Sequence, residues 1–232
     1  MNEAVTSSSF FADAGTTWFR GIGAAERLPL LAALVSRVNH DLRTPLNTIA
    51  GWTHLLQASA ADAARTRHVA EVFGRNVREE TVLLEEFVDD ARALLDGLTL
   101  EPTAVDAAEL LAAATERLAP ALDIHEIRLE PQIDCEGETI LADRARTTRL
   151  VYRLLMTATR RAPEGSAVTL RASPSAQCLE VDIEAEANRT TFENGLLLDL
   201  RIASAVAHLS HATLDIGAPE ASRFLLRLPL QH

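Results

Sequence analysis

The chain has 232 residues, enough for one large or two modest globular domains, and its 47% hydrophobic and 24% charged residues are typical of such domains. A formal net charge of −11 argues against a nucleic-acid-binding protein, whose surface is normally basic, and no polybasic patch is present for anionic lipid. All 22 positively charged residues are arginines, so the lysine that often binds phosphate is missing.

The N-terminal segment, residues 1–25, is rich in Ser, Thr, Ala and Gly, and we interpret it as an arm or a short packing helix. It lacks the positive and apolar regions of a signal peptide, and no run of about 18 apolar residues occurs in the chain. We therefore expect a cytoplasmic protein with no membrane partner. Cys135 and Cys178 have no metal-ligand spacing, so we expect reduced structural thiols and no metal site.

Residues 26–98 show the pattern of two long helices. Apolar residues recur at helical spacing from Leu28 to about Gln57 and from about Ala63 to Leu95, with a short turn at 58–62. In the first helix the two seam positions of a seven-residue repeat hold Val35, Leu42, Ile49 and Leu56, and Val38, Pro45 and Trp52. One antiparallel hairpin cannot bury both apolar stripes, so the pattern predicts a homodimer that forms a four-helix bundle.

Residues 99–232 show mixed helix and strand patterns. Helices are predicted at 105–122, 142–162 and 196–210, and strands at 127–134, 167–173, 178–185, 212–217 and 223–230. Helices combined with an antiparallel or mixed sheet predict an α/β-sandwich, and the chain as a whole is expected to be α+β.

The stretch VNHDLRTPLN, residues 38–47, places His40 at a heptad position that points away from the seam. Thr44 and Asn47 follow on the same outward stripe. Pro45 removes a backbone donor and is expected to bend the helix, at a cost of about 3 kcal/mol in a plain helix. The carboxylate of Asp41 can hold one ring nitrogen of His40 as N–H, which leaves the other as a nucleophile.

Residues 40–46, HDLRTPL, resemble the phosphoacceptor motif of sensor histidine kinases, H-[DE]-L-R-T-P-L, at all seven positions. The resemblance extends over roughly residues 28–230, because the second domain follows the family's ATP-binding domain in outline. It implies that His40 is the phosphoacceptor, that Asp41 assists as an acid or base, and that Thr44 stands where the family orients water to dephosphorylate a response regulator. It also implies receiver domains of response regulators as partners. The candidate partner-binding residues are Arg37, Arg43, Asn47 and Ala50.

The second domain departs from the family where the metal and the adenine would bind. Arg153 and Thr157 stand in place of two asparagines, and a threonine hydroxyl is a poor substitute for an Asn carbonyl at Mg²⁺. The adenine motif, which contains two glycines in the family, is replaced by residues 184–188, which bring the acids Glu184 and Glu186.

The phosphate-binding region departs as well. Leu197 takes a position where the family has a glycine, and Asp199 puts a negative charge where phosphates would lie at a helix N-terminus. Only 14 residues (183–196) are left for a lid between strand and helix. We therefore expect a degenerate ATP-binding domain that holds no cofactor.

These features predict a histidine phosphotransferase of a two-component phosphorelay. His40 would carry phosphate to and from receiver aspartates, with Mg²⁺ held by the receiver domain, and without ATP-dependent autophosphorylation. Two alternatives stay open. The chain could be a pseudokinase adaptor or a response-regulator phosphatase that uses Thr44, or it could be a divergent histidine kinase, including one phosphorylated in trans by an intact kinase.

Overall fold

The chain folds into two compact units that meet in the sequence between Leu95 and Asp96. The structure, a computed structural model, describes residues 22–58, 63–186, 194–217 and 221–231. The first unit is a helical hairpin and the second combines helices with a sheet, which confirms the predicted α+β class. The interpretation of residues 1–21 as an arm, and that of the turn at 59–62, lie outside the described residues.

Two long helices form the hairpin: α1 (Ala24–Ala58) and α2 (Ala63–Leu94). α1 begins a turn earlier than expected and continues through Pro29 and Pro45. Where the two helices pack, side chains from both are buried. These are Leu34 and Pro45 on α1, and Val69, Val72, Ala93 and Leu94 on α2.

One predicted seam residue is not covered by α2. Val35 is 46% exposed, whereas its neighbour Leu34 is fully buried. The apolar stripe of α1 is wider than a single partner helix can cover, so α2 buries one side of it and leaves the side with Val35 uncovered. The seven-residue count could not distinguish these two sides.

The second unit holds seven strands and three helices among its described residues. They are β1 (Thr103–Asp106), α3 (Ala107–His125), β2 (Arg128–Ile133), β3 (Thr139–Ala142), α4 (Arg144–Arg161), β4 (Ala167–Ser175), β5 (Cys178–Glu186), α5 (Asn194–Leu209), β6 (Thr213–Ile216) and β7 (Ala221–Pro229). Five strands form one sheet in the order β2-β4-β5-β7-β6, in which only the β2–β4 pair is parallel.

The sequence patterns missed β1 and β3, which form a separate antiparallel pair with Val105 opposite Ile140. Each strand has four residues, too few for an alternating pattern to stand out. The predicted helix at 105–122 therefore began too early. Asp106 ends β1 and caps α3, because its side chain accepts a hydrogen bond from the N–H of Glu109 at 2.8 Å.

The five-stranded sheet has an apolar face and a charged face. Along β5, Leu179, Val181 and Ile183 are fully buried and belong to the core that α4 covers. The residues between them point to the opposite face because side chains alternate along a strand. On that charged face, Asp182 pairs with Arg223 at 2.9 Å.

In the described ranges, no helix is long and apolar enough to cross a bilayer.

Candidate functional site

His40 has a highly accessible side chain on α1. Its side chain is 82% exposed, and its Nδ1 lies 3.1 Å from Oδ1 of Asp41, the next residue along the helix. When the ring proton is on Nδ1, it is donated to this carboxylate, and the lone pair of Nε2 is free to attack an electrophile. The imidazole therefore lies against Asp41 while most of it is exposed, and its role as a nucleophile stays a prediction.

The residues predicted on the outward stripe, Thr44 and Asn47, are exposed as well, and so are two candidate partner-binding residues. Arg43, Thr44, Asn47 and Ala50 all have exposed side chains, although Pro45 beside them is buried. Residues three, four and seven positions after His40 lie on one side of a helix, so Arg43, Thr44 and Asn47 form a surface with the imidazole. The hydroxyl of Thr48 donates to the backbone carbonyl of Thr44 at 3.1 Å.

Arg37 is placed differently from the other candidate partner residues. Its guanidinium is half-buried, and Nη2 lies 3.4 Å from Oδ2 of Asp90 on α2, a carboxylate whose side chain is only 4% exposed. This ion pair joins the two helices of the hairpin. Sequence reasoning did not single out Asp90, although an acid at the helical spacing of Phe87 and Leu94 is a signal of a buried carboxylate that needs a partner.

The second unit brings together two of the degenerate positions. Nη1 of Arg153 on α4 lies 2.8 Å from Oδ1 of Asp199 on α5, and both side chains are 11% exposed. Arg160, two turns further along α4, places its Nη1 3.7 Å from Oδ2 of the same carboxylate. Arg153 and Asp199, which the resemblance aligns with a metal-binding asparagine and a phosphate-binding glycine, are thus partners in a largely buried ion pair. The sequence analysis named both residues but did not pair them.

Thr157 is bonded within its own helix. Its side chain is buried, and its hydroxyl donates to the backbone carbonyl of Arg153 one turn earlier at 2.8 Å. Such a back-bond to the preceding turn occupies the hydroxyl of a helical threonine.

Among the residues with described positions, no three His, Cys, Asp or Glu side chains cluster as metal ligands would.

Glu184 lies on the charged face of the sheet, where its carboxylate accepts a hydrogen bond from Arg171 at 3.1 Å. This differs from the expectation that both acids lie beside the nucleotide position, because the alternation of β5 turns Glu184 away from the helices. Glu186 is exposed at the end of β5, and Leu197 lies inside α5, which begins earlier, at Asn194. The lid prediction concerns mainly residues 187–193, which lie outside the described residues.

Comparison with known proteins identifies relatives of the chain, although no protein-family model matches it. "Sensor protein DivL" of Caulobacter vibrioides is 30% identical over 171 residues, which cover 71% of this chain and 21% of that protein. "Probable sensor histidine kinase TcrY" of Mycobacterium tuberculosis is 30% identical over 217 residues, which cover 84% of this chain and 45% of that protein. The chain spans less than half the length of these two relatives.

The fold agrees with these relatives. The histidine kinase AdeS of Acinetobacter baumannii superimposes with a TM-score of 0.56 at 17% identity, covering 83% of this chain and 98% of that one. At this identity the likeness concerns the fold alone, and it extends over the hairpin and the α/β unit. The phosphoacceptor motif, the order of the two units and the similarity to curated sensor kinases agree. The chain belongs to the sensor histidine kinase family.

Proposed function

We propose that this chain is a histidine phosphotransferase in a two-component phosphorelay, which exchanges phosphate between His40 and receiver aspartates and does not take it from ATP. The observation that carries the proposal is the ion pair between Arg153 and Asp199, which stands at positions where ATP-using members of the family present a metal-binding asparagine and phosphate-binding glycines. The phosphoacceptor motif, in contrast, is complete.

The ion pair argues against ATP-Mg²⁺ at this site for two reasons. A guanidinium has only donors, so Arg153 cannot ligate a metal ion. The carboxylate of Asp199 repels the phosphates that a glycine-rich helix start would attract. No cofactor is therefore required of this chain, and the Mg²⁺ that phosphoryl transfer needs would be held by the receiver domain.

His40 has the properties that transfer from an aspartyl phosphate requires. Nε2 would attack the phosphorus atom, the new N–P bond would form as the P–O bond to the receiver aspartate breaks, and the released carboxylate would stay with the receiver. The imidazole ring gains positive charge in this step. Asp41, at 3.1 Å from Nδ1, would stabilise that charge by retaining its hydrogen bond to the Nδ1 proton.

The partner surface would consist of Arg43, Thr44, Asn47 and Ala50 around His40, all of them exposed. A receiver domain carries its phosphate in an acidic pocket, and the positive charge of Arg43 beside the imidazole suits such a partner. We place this exchange in the cytoplasm, where receiver domains act. Arg37 would contribute mainly by holding α1 against α2 through Asp90.

A homodimer would complete the hairpin. Large apolar side chains on its surface remain exposed. They are Leu28, Val35, Leu46 and Leu55 on α1, and Val77, Val82, Leu84 and Val88 on α2. Val77, Leu84 and Val88 follow helical spacing and form one stripe along α2. Burial of such stripes against an identical hairpin gives a four-helix bundle. Light scattering of Leu84→Glu is expected to show monomer where the parent chain shows dimer.

A second candidate function is supported by the exposure of Thr44 one turn beyond His40. From this position its hydroxyl could orient a water molecule against the phosphate of a docked receiver. A phosphatase of this kind would release inorganic phosphate even in a His40→Gln variant and would lose that activity in Thr44→Ala. Phosphotransfer predicts the opposite dependence on the two residues.

The proposal is tested by incubating the purified chain with γ-labelled ATP and Mg²⁺, and separately with a labelled phosphorylated receiver. We expect label on the chain only in the second reaction, and none in either reaction with His40→Gln. Labelling by ATP alone would favour a divergent kinase. Labelling only after an intact kinase is added would favour phosphorylation in trans.

A further inference from the structure

Helix α4 is unusually basic for a chain with a net charge of −11. Its sequence, RARTTRLVYRLLMTATRR, holds six arginines and no acid. Arg153 and Arg160 are two turns apart and therefore lie on the same side of the helix. Both of them approach the carboxylate of Asp199, at 2.8 Å and 3.7 Å respectively.

Two arginines around one acidic group are the composition of an anion-binding site, and here the bound anion is the carboxylate of Asp199. Two guanidiniums converge on one carboxylate, and both contacts are charge-assisted. The side chains of Asp199 and Arg153 are both mostly covered, so water screens their attraction only weakly. Guanidinium forks match the oxygens of both carboxylates and phosphates, so the groups that hold Asp199 are also chemically suited to phosphate.

We propose that Asp199 is an internal ligand that closes an arginine-lined anion site, and that Arg153 and Arg160 would otherwise bind a di- or triphosphate without a metal ion. The inference deepens the proposed function, on which it rests: the second unit does not merely lack nucleotide-binding groups but fills the phosphate position with its own side chain. We then expect removal of that side chain to raise the affinity for phosphate.

The probe is inorganic pyrophosphate, titrated calorimetrically into the full chain in buffer free of phosphate, sulfate and divalent metal. The parent chain is expected to bind it weakly or not at all. Asp199→Ala should bind at least tenfold more tightly, because the carboxylate that both guanidiniums face is gone. The double variant Arg153→Ala/Asp199→Ala should lose most of this gain.

Asp182→Ala is the matched control, because it removes a carboxylate that faces Arg171 and Arg223 on the charged face of the sheet. Those two arginines are about half exposed, so no comparable gain is expected. An equal gain in Asp182→Ala would overturn the proposal, since any arginine relieved of its carboxylate would then suffice. A folded Asp199→Ala that binds no better than the parent would overturn it as well.

A loss of folding in Asp199→Ala does not remove the test. Asp199→Asn keeps a hydrogen-bond acceptor and removes the charge, and pyrophosphate should raise its unfolding midpoint more than that of the parent chain. If pyrophosphate raised the unfolding midpoint of Asp199→Asn and of the parent chain equally, the proposal that Asp199 closes an anion site would be contradicted. ATP labelling of the parent His40 would contradict the proposed phosphotransferase, whereas a missing pyrophosphate gain would contradict only the role given to Asp199.

Discussion

Nδ1 of His40 lies 3.1 Å from Oδ1 of Asp41, while the imidazole remains 82% exposed to solvent. The two features usually compete, because a side chain held by a partner tends to be covered by it. Here the partner is the adjacent residue on the same helix, so it orients the ring without blocking Nε2. The complete motif and this local geometry are the basis of the role given to His40.

The contact between His40 and Asp41 predicts that substitutions of the two residues will change the rate of phosphorylation to different extents. His40→Gln should abolish phosphorylation of the chain by a phosphorylated receiver. Asp41→Asn should slow it by roughly 100-fold, the lower end of the range for a positioned acid or base, because the charge that stabilises the imidazolium is lost. Rapid-quench measurement of labelled phosphohistidine gives the rate. Asn39→Ala, an exposed neighbour on the other side of His40, is the control and should react like the parent chain.

The ion pair between Arg37 and Asp90 is expected to stabilise the hairpin. Arg37→Ala leaves the buried carboxylate of Asp90 without this partner and should lower the free energy of unfolding by about 1–3 kcal/mol. Urea unfolding followed by circular dichroism measures the change. Arg43→Ala removes an equal charge from an exposed position and should change the free energy by about 0.5 kcal/mol or less. Equal effects would show that the Arg37 contact contributes nothing specific.

Two helix caps provide a second comparison of stability. The carboxylate of Asp143 accepts hydrogen bonds from the backbone N–H groups of Glu101 and Arg146 and from the guanidinium of Arg146. Asp143→Ala should therefore cost about 2–4 kcal/mol. Asp106→Ala, at the start of α3, loses one hydrogen bond to the N–H of Glu109 and should cost about 1 kcal/mol.

Asp143 also predicts a dependence on pH. Burial acts to raise the pKa of its carboxyl, but the hydrogen bonds from Glu101 and Arg146 outweigh burial and hold the pKa below its ordinary value of 3.8. A carboxyl with a lowered pKa stabilises the fold fully above its unfolded pKa, and the stabilisation is lost as the pH falls through its folded pKa. In urea titrations, the difference in stability between the parent chain and Asp143→Asn should shrink as the pH falls below about 4. A constant difference would contradict the role of the charge.

The two cysteines should react at different rates. Cys135 is 1% exposed, and its burial and then the neighbouring Asp106 raise the pKa of its thiol, so little thiolate forms near neutral pH. Cys178 is half-buried and free. A thiol reagent should modify Cys178 in the native chain and reach Cys135 only after denaturant is added. Rapid modification of two thiols in native protein would contradict the burial of Cys135.

The sequence predicted the features that depend on local patterns. The hairpin follows from apolar spacing, and the exposure of His40 follows from its place relative to that spacing. α2 leaves Val35 uncovered, and a heptad count alone does not tell which side of the apolar stripe α2 covers. β1 and β3 were missed because strands of four residues carry almost no periodic signal.

The tertiary ion pairs could not be predicted in the same way. Arg153 and Asp199 are 46 positions apart, and Arg37 and Asp90 are 53 apart. Each charge could be suspected from its place in an apolar helical pattern, since a buried charge needs a partner. Which opposite charge meets it depends on how the helices pack, and one sequence holds no local record of that.

The most direct test of the central claim follows phosphate from a receiver to this chain without ATP. A receiver domain labelled on its aspartate is mixed with the chain in the presence of Mg²⁺, and the labelled residue is identified by fragmentation under alkaline conditions that preserve phosphohistidine. The account predicts that label leaves the receiver and appears on His40, and that a second, unlabelled receiver then removes it. Label that remains on the receiver, or that appears on His40 only when ATP is supplied, would contradict the account.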